Sequence, residues 1–314
     1  MSLIDVAGVD LIVGIGLCAT LGANNLSACL GSSVGVQAIK YRQAIVLASI
    51  GLFAGVVLEG YKVSGAISSG IVKSNDPTFT FAVELSSLAL MYIITSKRIP
   101  VSLSQVAIGA AIGSGIARGI TINWGFATIV VASWLVTPLV GLTIALILSS
   151  ATKLFVKRSR NVLSLNLFYA YLTVVSGVYA AYALGANTVG FIVGMNEASR
   201  IPSFILSIIF ALATIIGMMV LGKGTTQSVA ENIIGLSPSA SFAAQMGGAI
   251  TVHGFTELGI PVSVSQAVVG GIFGAAIPRK IVVRNGRLTR EIIFGWTIAP
   301  ILGAALGFLT ASLI

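Results

Sequence analysis

The sequence predicts an all-α polytopic membrane protein with two inverted-topology repeats of about five membrane segments each, and with broken or re-entrant helices at the midplane. Three observations predict this fold class. Apolar residues make up 56% of the chain and charged residues 9%, hydrophobic runs recur along its whole length, and two polar motifs occur twice in the same order. Soluble domains carry about 25% charged residues, so this surface cannot all face water.

The hydrophobic runs define the membrane segments. Each membrane-spanning helix needs about 20 mainly apolar residues. The N-terminus has neither a basic segment nor a small-residue cleavage site, so we expect no cleaved signal peptide. Cys18 and Cys29 alone provide no disulfide or metal framework. The predicted membrane units are residues 5–39, 41–72, 78–96, 99–117, 121–150, 161–199, 200–222, 240–258, 260–278 and 291–313.

The net charge of +9 is arranged as membrane topology requires. With the N-terminus outside, fourteen lysines and arginines fall in cytoplasmic segments, and only Lys73, Arg118 and Arg200 fall outside. Cytoplasmic loops of membrane proteins carry this excess of positive charge. We therefore predict a multi-pass protein of the cell membrane with its N-terminus outside. The basic character is attributed to topology, and nucleic acid is not an expected partner.

Two polar motifs divide the chain into halves. Leu-Gly-Ala-Asn at residues 21–24 recurs at residues 184–187, and Ile-Pro-Val-Ser-x-Ser-Gln at residues 99–105 recurs at residues 260–266. Five segments per half is an odd number, so the halves enter the membrane in opposite directions. We predict a first repeat at residues 1–150, a basic cytoplasmic linker at 151–160 and a second repeat at 161–314. Inverted repeats are common in secondary transporters, which bind substrate near the midplane.

The first motif places glycines, amides and hydroxyls inside an apolar segment. Glycine weakens a helix, and polar side chains facing lipid are costly. One interpretation is a helix break facing a protein-lined cavity, where irregular backbone is tolerated. The other is small-residue helix packing, with asparagine and serine bonding between helices. Recurrence of the motif at matched positions favours the break.

The second motif begins with a proline, which suits the first turn of a helix. Two hydroxyls and an amide follow in that turn, where free N–H groups and the helix dipole favour an anion. Ordinary serine N-capping is the alternative, but the identical Ser-x-Ser-Gln pattern in both halves favours an anion site. The predicted substrate-binding residues are Asn24, Asn25, Ser102, Ser104, Gln105, Asn187, Thr188, Ser263, Ser265 and Gln266.

With these motifs the chain resembles the inorganic phosphate transporter (PiT) family of secondary anion transporters, which includes sulfate permeases. The family's Gly-Ala-Asn-Asp type element reads Gly-Ala-Asn-Asn at residues 22–25 and Gly-Ala-Asn-Thr at 185–188. Its Pro-x-Ser-Thr-Thr-His type element reads Pro-Val-Ser-Leu-Ser-Gln at 100–105 and Pro-Val-Ser-Val-Ser-Gln at 261–266. The resemblance implies a symporter for a tetrahedral oxyanion, driven by sodium or protons.

The chain departs from the family pattern at four positions. Asn25 and Thr188 stand where the family has aspartates, and Gln105 and Gln266 stand where it has histidines. A site of neutral donors suits fully ionised sulfate, whereas hydrogen phosphate also needs an acceptor. The sequence therefore favours sulfate transport by alternating access. Sodium- or proton-coupled phosphate transport is the alternative, and an anion channel is an alternative of another class.

Glu84 lies in an apolar run without a local partner and is the candidate for proton coupling. Glu59 precedes Lys62 by three residues, so a structural ion pair is as good an interpretation as a relay. His253 is expected near a segment end with a satisfied hydrogen bond. One histidine and scattered carboxylates form neither a catalytic pair nor a metal cluster, so we predict no enzyme activity and no cofactor besides the coupling H⁺ or Na⁺. The expected partners are the anion and the bilayer, and a homodimer is left open.

Overall fold

A computed structural model describes residues 3–74, 76–96, 101–158, 161–196, 199, 201–232, 236–280 and 286–314. The first half contains α1 (Leu3–Gly35), α2 (Tyr41–Glu59), α3 (Tyr61–Ser64), a π-helical segment (Ala66–Ile71), α4 (Pro77–Ser96), α5 (Leu103–Ala117) and α6 (Trp124–Arg158). The second half contains α7 (Val162–Leu184), a π-helical segment (Gly185–Val189), α8 (Gly190–Met195), α9 (Ser203–Asn232), α10 (Pro238–Glu257), α11 (Val264–Ala276), a 3₁₀ turn (Ile277–Arg279) and α12 (Gly286–Leu313).

The all-α polytopic fold is confirmed. Seven helical stretches in the described residues are long and apolar enough to cross a membrane. By contrast, α5 has 15 residues and α11 has 13. These lengths correspond to about 22 Å and about 20 Å, which is short of the roughly 30 Å hydrocarbon core. The predicted units 99–117 and 260–278 are therefore too short to be straight membrane spans. The opposite orientation of the two halves stays a prediction.

The helix break expected in the first motif is absent, because α1 is continuous from Leu3 to Gly35. In the second half the equivalent residues form a π-helical turn that connects α7 to α8. The glycines instead allow close helix contact. A Cβ at Gly22 would lie 1.9 Å from the Thr214 carbonyl oxygen in α9, and a Cβ at Gly185 would lie 2.1 Å from the Leu52 carbonyl oxygen in α2. Small-residue packing therefore explains the glycines of both copies.

Equivalent residues of the two halves make equivalent contacts. Arg118 follows α5 and lies 2.8 Å from Asp76, just before α4. Arg279 and Ser237 stand 161 residues later, and Arg279 donates a hydrogen bond to the Ser237 hydroxyl at 3.2 Å. In both halves the arginine thus ties the end of one short helix to the start of the helix before it.

The segment between the halves is largely helical. Residues 151–158, in the predicted linker, form the last turns of α6. Residues 159 and 160 lie outside the described residues. The Asn161 side chain caps α7 by accepting a hydrogen bond from the Ser164 N–H at 3.1 Å. The domain boundaries at 150 and 161 stay predictions.

The glycine contact gives a stability prediction. Gly22→Ala places a methyl group against the backbone of α9, so α1 and α9 must separate, and we expect a lower unfolding temperature and a lower yield of monodisperse protein. Gly254→Ala in α10 is the matched control, because no atom lies within 4 Å of its Cβ position. Alanine ordinarily stabilises a helix by about 0.5–1 kcal/mol relative to glycine, so the control should melt at the same or a higher temperature. Thermal unfolding in detergent measures both, and equal melting of the two variants would contradict the packing argument.

Candidate functional site

All ten predicted substrate-binding residues are buried, with exposed fractions between 0% for Asn187 and 9% for Ser265. They lie on α1, on the π-helical turn after α7, and at the starts of α5 and α11. Polar side chains inside a membrane protein are tolerated where protein or a cavity surrounds them. The ten residues therefore belong to the protein interior and not to the lipid-facing surface.

The two asparagines join the first motif to the second motif of the same half. Asn24 Nδ2 donates to the Val101 carbonyl oxygen at 2.9 Å. Asn187 makes three hydrogen bonds to the end of α10 and the segment before α11, at 2.9–3.1 Å. Their partners are the hydroxyl of Thr256, the carbonyl of Ile260 and the N–H of Val262. The asparagines thus hold the two short helices in place.

The starts of α5 and α11 meet between the two halves. Ser104 Oγ, in the first turn of α5, donates to the Val262 carbonyl oxygen at 3.0 Å. On the other helix, the hydroxyls of Ser263 and Ser265 are 2.9 Å apart. Two helix N-termini therefore lie side by side. Free N–H groups and the positive ends of two helix dipoles together favour an anion.

Both N-terminal serines are caps, as the capping interpretation predicted. Ser102 Oγ accepts from the Gln105 N–H at 3.4 Å, and Ser263 Oγ accepts from the Gln266 N–H at 3.3 Å. The expected position of the prolines needs correction, because Pro261 precedes the cap by two residues and is not in the first helical turn. Residue 100 lies outside the described residues. Capping uses one hydroxyl per helix and leaves the remaining N–H groups of the first turn available for an anion.

The site is not the donor-only pocket that the sequence suggested. The Oε1 atoms of Gln105 and Gln266 are buried and have no hydrogen-bond partner. Meanwhile Asn25 Nδ2 donates to the Leu21 carbonyl oxygen in its own helix at 3.2 Å, so this donor is already engaged. The premise of the sulfate preference is therefore corrected: two acceptor oxygens are present beside the helix N-termini.

Glu84 has no partner close to it in the sequence, as expected, but it has partners that are distant in the sequence. It is fully buried, and Asn196 Nδ2 donates to its Oε1 at 2.5 Å. The Asp10 carboxyl group lies within hydrogen-bonding range of Glu84 and is 1% exposed. Asp10 and Asn196 were not singled out as site residues by sequence. The available signal was an aspartate directly before an apolar run in α1.

Glu59 and Lys62 form the predicted ion pair, at 3.2 Å, within a larger charged cluster. Lys62 Nζ also lies 2.6 Å from Glu257, and His253 Nε2 lies 2.8 Å from Glu59 and 3.1 Å from Glu257. The ring of His253 also bonds to the Tyr179 hydroxyl, so the expected satisfied hydrogen bond is confirmed. The two carboxylates and the imidazole, which the sequence suggested to be scattered, are close enough to hold a metal ion, and the Lys62 ammonium balances one of the two carboxylate charges. The cluster ties the end of α2 to the end of α10.

The unequal hydrogen bonding of the two asparagines predicts unequal stability losses. Asn187→Ala removes three hydrogen bonds, whereas Asn24→Ala removes one. A buried polar group left without a partner costs about 1–3 kcal/mol. We therefore expect Asn187→Ala to lower the unfolding temperature more than Asn24→Ala. Thermal unfolding of the two purified variants measures this, and equal losses would argue against the assigned role of Asn187.

Comparisons with known proteins agree with this architecture. The model of the PHO4 phosphate transporter family matches residues 21–307. A Methanocaldococcus jannaschii protein named "Putative phosphate permease" is 30% identical over 300 residues, covering 96% of this chain and 95% of its own length. The sulfate permease CysP of Bacillus subtilis is 26% identical over 301 residues, covering 93% and 84%.

The fold has also been seen in a solved structure. The structure described as "The sodium-dependent phosphate transporter" superposes with a TM-score of 0.89 at 21% identity, covering 100% of this chain and 99% of that chain. At this identity the likeness concerns the fold. Together with the family match over most of the sequence, it leads to one conclusion: this chain belongs to the phosphate transporter family, whose members are membrane transporters of inorganic anions.

Proposed function

We propose that this protein is a symporter that carries inorganic phosphate across the cell membrane by alternating access. The observation that carries this proposal is the pair of unpartnered, buried Oε1 atoms of Gln105 and Gln266 at the starts of α5 and α11. Phosphate at neutral pH carries at least one proton and needs an acceptor for it, while its ionised oxygens need donors. The glutamine carbonyls supply the acceptor. The helix N–H groups supply donors, together with serine hydroxyls other than that of Ser104, which donates to the Val262 carbonyl oxygen.

The ten candidate residues form an electrically neutral site, which suits an anion that must be released again. None of the ten residues is charged, so no carboxylate repels the anion and no ammonium or guanidinium holds it permanently. Two helix N-termini provide positive potential without a full charge. A neutral site of this kind favours binding that is reversible, which a transporter needs for release.

Sulfate is the second candidate substrate. It is supported by the uncharged Asn25 and Thr188 at the positions of the family aspartates, and by the relative named as a sulfate permease. A glutamine side chain carries both a carbonyl oxygen and an amide N–H₂ group. Rotation of the amides of Gln105 and Gln266 would therefore present donors to a fully ionised anion. Competition between the two anions decides between the candidates.

We infer that the coupling ion is a proton and that Glu84 carries it. Ionisable groups at membrane depth are functional candidates by default, and Glu84 is fully buried. Moving one charge across the membrane potential costs about 2.3 kcal/mol per 100 mV. A proton carried with the anion reduces that cost.

Uptake by proteoliposomes tests the proposal. We expect labelled phosphate to accumulate above its external concentration when an inward proton gradient is imposed, and unlabelled sulfate to compete weakly at equal concentration. Accumulation against a concentration difference separates a symporter from a channel, which only equilibrates the anion. Accumulation of sulfate without phosphate would overturn the phosphate assignment, and a strict requirement for sodium would overturn proton coupling.

The role of the glutamines is tested separately. Gln105→Met and Gln266→Met remove the acceptor with little change in volume. Loss of one hydrogen bond to a buried group costs about 1–3 kcal/mol, so phosphate affinity should fall roughly 5- to 150-fold. Sulfate affinity should change less. Gln43→Met, at an exposed position in the first turn of α2, is the control and should leave both affinities unchanged. Equal loss of both anions in the site variants would contradict the acceptor role.

A further inference from the structure

We propose that Asp10, Glu84 and Asn196 form a binding site for one monovalent cation, a proton or Na⁺, which is separate from the anion site and supplies the coupling ion. The inference rests on the proposed symport function and names the site of its second substrate. The three side chains come from α1, from α4 and from the residue that follows α8. Each is at least 99% buried.

Three side-chain oxygen atoms of this group have no hydrogen-bond donor. Asp10 Oδ1, Glu84 Oε2 and Asn196 Oδ1 are buried and have no hydrogen-bond partner. Asn196 Nδ2 donates a hydrogen bond to Glu84 Oε1 at 2.5 Å. Asp10 lies one helical turn before Gly14, whose Cβ position is 3.2 Å from Glu84 Oε2, and the two carboxyl groups interact directly. Two ionised carboxylates would therefore repel each other strongly. A cation between them removes the repulsion.

The part of the chain that the structure describes provides no basic side chain as a counter-ion to this carboxyl pair. Among the described residues, the ion pairs of lysine, arginine and histidine involve other carboxylates. A buried charge without a counter-ion costs far more than a hydrogen bond. Carboxylate and amide oxygens are the ligands of hard cations, and a carboxyl pair can also share a proton. The chemistry thus selects a small cation and excludes an anion.

The surroundings of the pair are compact. A Cβ at Gly14 on α1 would lie 3.2 Å from Glu84 Oε2 and 3.0 Å from the Phe210 ring of α9. In the part of the chain that the structure describes, the Cys18 thiol on α1, beside Thr214 on α9, also faces Glu84. A larger residue at position 14 would therefore encroach on the carboxyl group.

The equivalent place in the second half shows that packing alone does not require carboxyl groups. The residues at the equivalent positions, 163, 161 and 163 residues away, are Thr173, Gln245 and Ser33. There Ser33 Oγ donates to the Thr173 carbonyl oxygen at 3.1 Å, and Gln245 Nε2 donates to the Ala28 carbonyl oxygen at 2.6 Å. Neutral side chains therefore occupy the same helix junction, although Gln245 Oε1 is also buried there without a hydrogen-bond partner. The two carboxyl groups of the first half add a chemistry that its counterpart lacks.

The site is distant from the anion site but shares a helix with it. Asp10 precedes Asn24 by 14 residues on the continuous α1, which corresponds to about 21 Å along the helix axis. Glu84 lies on α4, the helix that precedes α5 and its Ser102 cap. Each site is therefore formed by α1 together with the α4–α5 region. Movement of α1 would change both sites at once, which is the requirement for coupling.

Neutralising variants test the site in proteoliposomes. Asp10→Asn and Glu84→Gln keep the side-chain volume but remove the negative charge that would balance the cation. We expect each to reduce gradient-driven phosphate accumulation at least 10-fold, while exchange of external labelled phosphate for internal phosphate is retained, because exchange needs no net cation movement. Asp76→Asn is the matched control, since Asp76 is a partly exposed carboxylate paired with Arg118. It should retain both accumulation and exchange.

Two binding measurements on the purified wild type identify the cation. If it is a proton, infrared difference spectra on raising the pH will show loss of a carboxylic-acid carbonyl band that is missing in Asp10→Asn and Glu84→Gln. If it is Na⁺, radioactive sodium will bind to the wild type and not to the variants. These measurements also test the site should one variant fail to fold. Absence of both signals in the wild type would overturn the inference.

The transport outcomes separate this inference from the proposed function. Wild-type accumulation that is unchanged in both variants would overturn the cation site and leave the symporter intact. Loss of exchange together with accumulation in folded variants would also overturn it, because the carboxyl groups would then serve the anion step. A wild type that neither exchanges nor accumulates phosphate or sulfate would refute the proposed function itself.

Discussion

The contact between helix backbones at Gly22 and Gly185 determines where the polar residues of this protein lie. Because each glycine faces a carbonyl oxygen of the opposite half, the helices that carry the first motif pack directly against α9 and α2. Asn24 and Asn187 follow two residues later in each copy and so face the interior. From there they bond to the segments before α5 and α11. The positions of α5 and α11 therefore depend on glycine, which has no Cβ atom, at residues 22 and 185.

Inside such a packed interior, hydrogen bonding separates structural from functional polar groups. Most buried polar atoms of a native protein have a partner, so the exceptions are informative. Asn187 uses both the N–H₂ group and the oxygen of its side-chain amide in hydrogen bonds, so its role is structural by this criterion. Gln105, Gln266 and the Asp10–Glu84 pair retain oxygens without donors. In the proposed mechanism an anion completes the bonding at Gln105 and Gln266, and a cation completes it at the carboxyl pair.

The sequence predicted the all-α polytopic fold because the long apolar runs of the membrane-crossing helices can be read from hydropathy alone. The opposite orientation of the two repeats stays a prediction. The sequence placed helices at both Pro-Val-Ser motifs but gave them membrane-crossing length, whereas α5 and α11 have 15 and 13 residues. The binding role of its ten candidate residues, all of which are buried, stays a prediction. The sequence predicted a helix break at the first motif, where α1 is continuous. Glycine is consistent with both a break and close packing, and only the Thr214 backbone facing Gly22 distinguishes the two. The sequence also missed Asn196 as the partner of Glu84, because 112 residues separate the two. Whether the side-chain oxygen of Gln105 has a hydrogen-bond donor depends on neighbouring residues that the motif spacing in the sequence does not reveal.

The separation of the two proposed sites has an electrostatic consequence. The resemblance places family aspartates at positions 25 and 188, beside the anion, whereas this chain has neutral residues there and carboxyl groups at Asp10 and Glu84. Two charges about 21 Å apart along α1 interact weakly compared with charges in contact, since Coulomb energy falls with distance. Carboxylates at the distant site therefore repel the anion less. In the proposed mechanism the anion is held by neutral dipoles, the cation by the acidic pair, and α1 links their occupancy mechanically instead of by direct charge pairing.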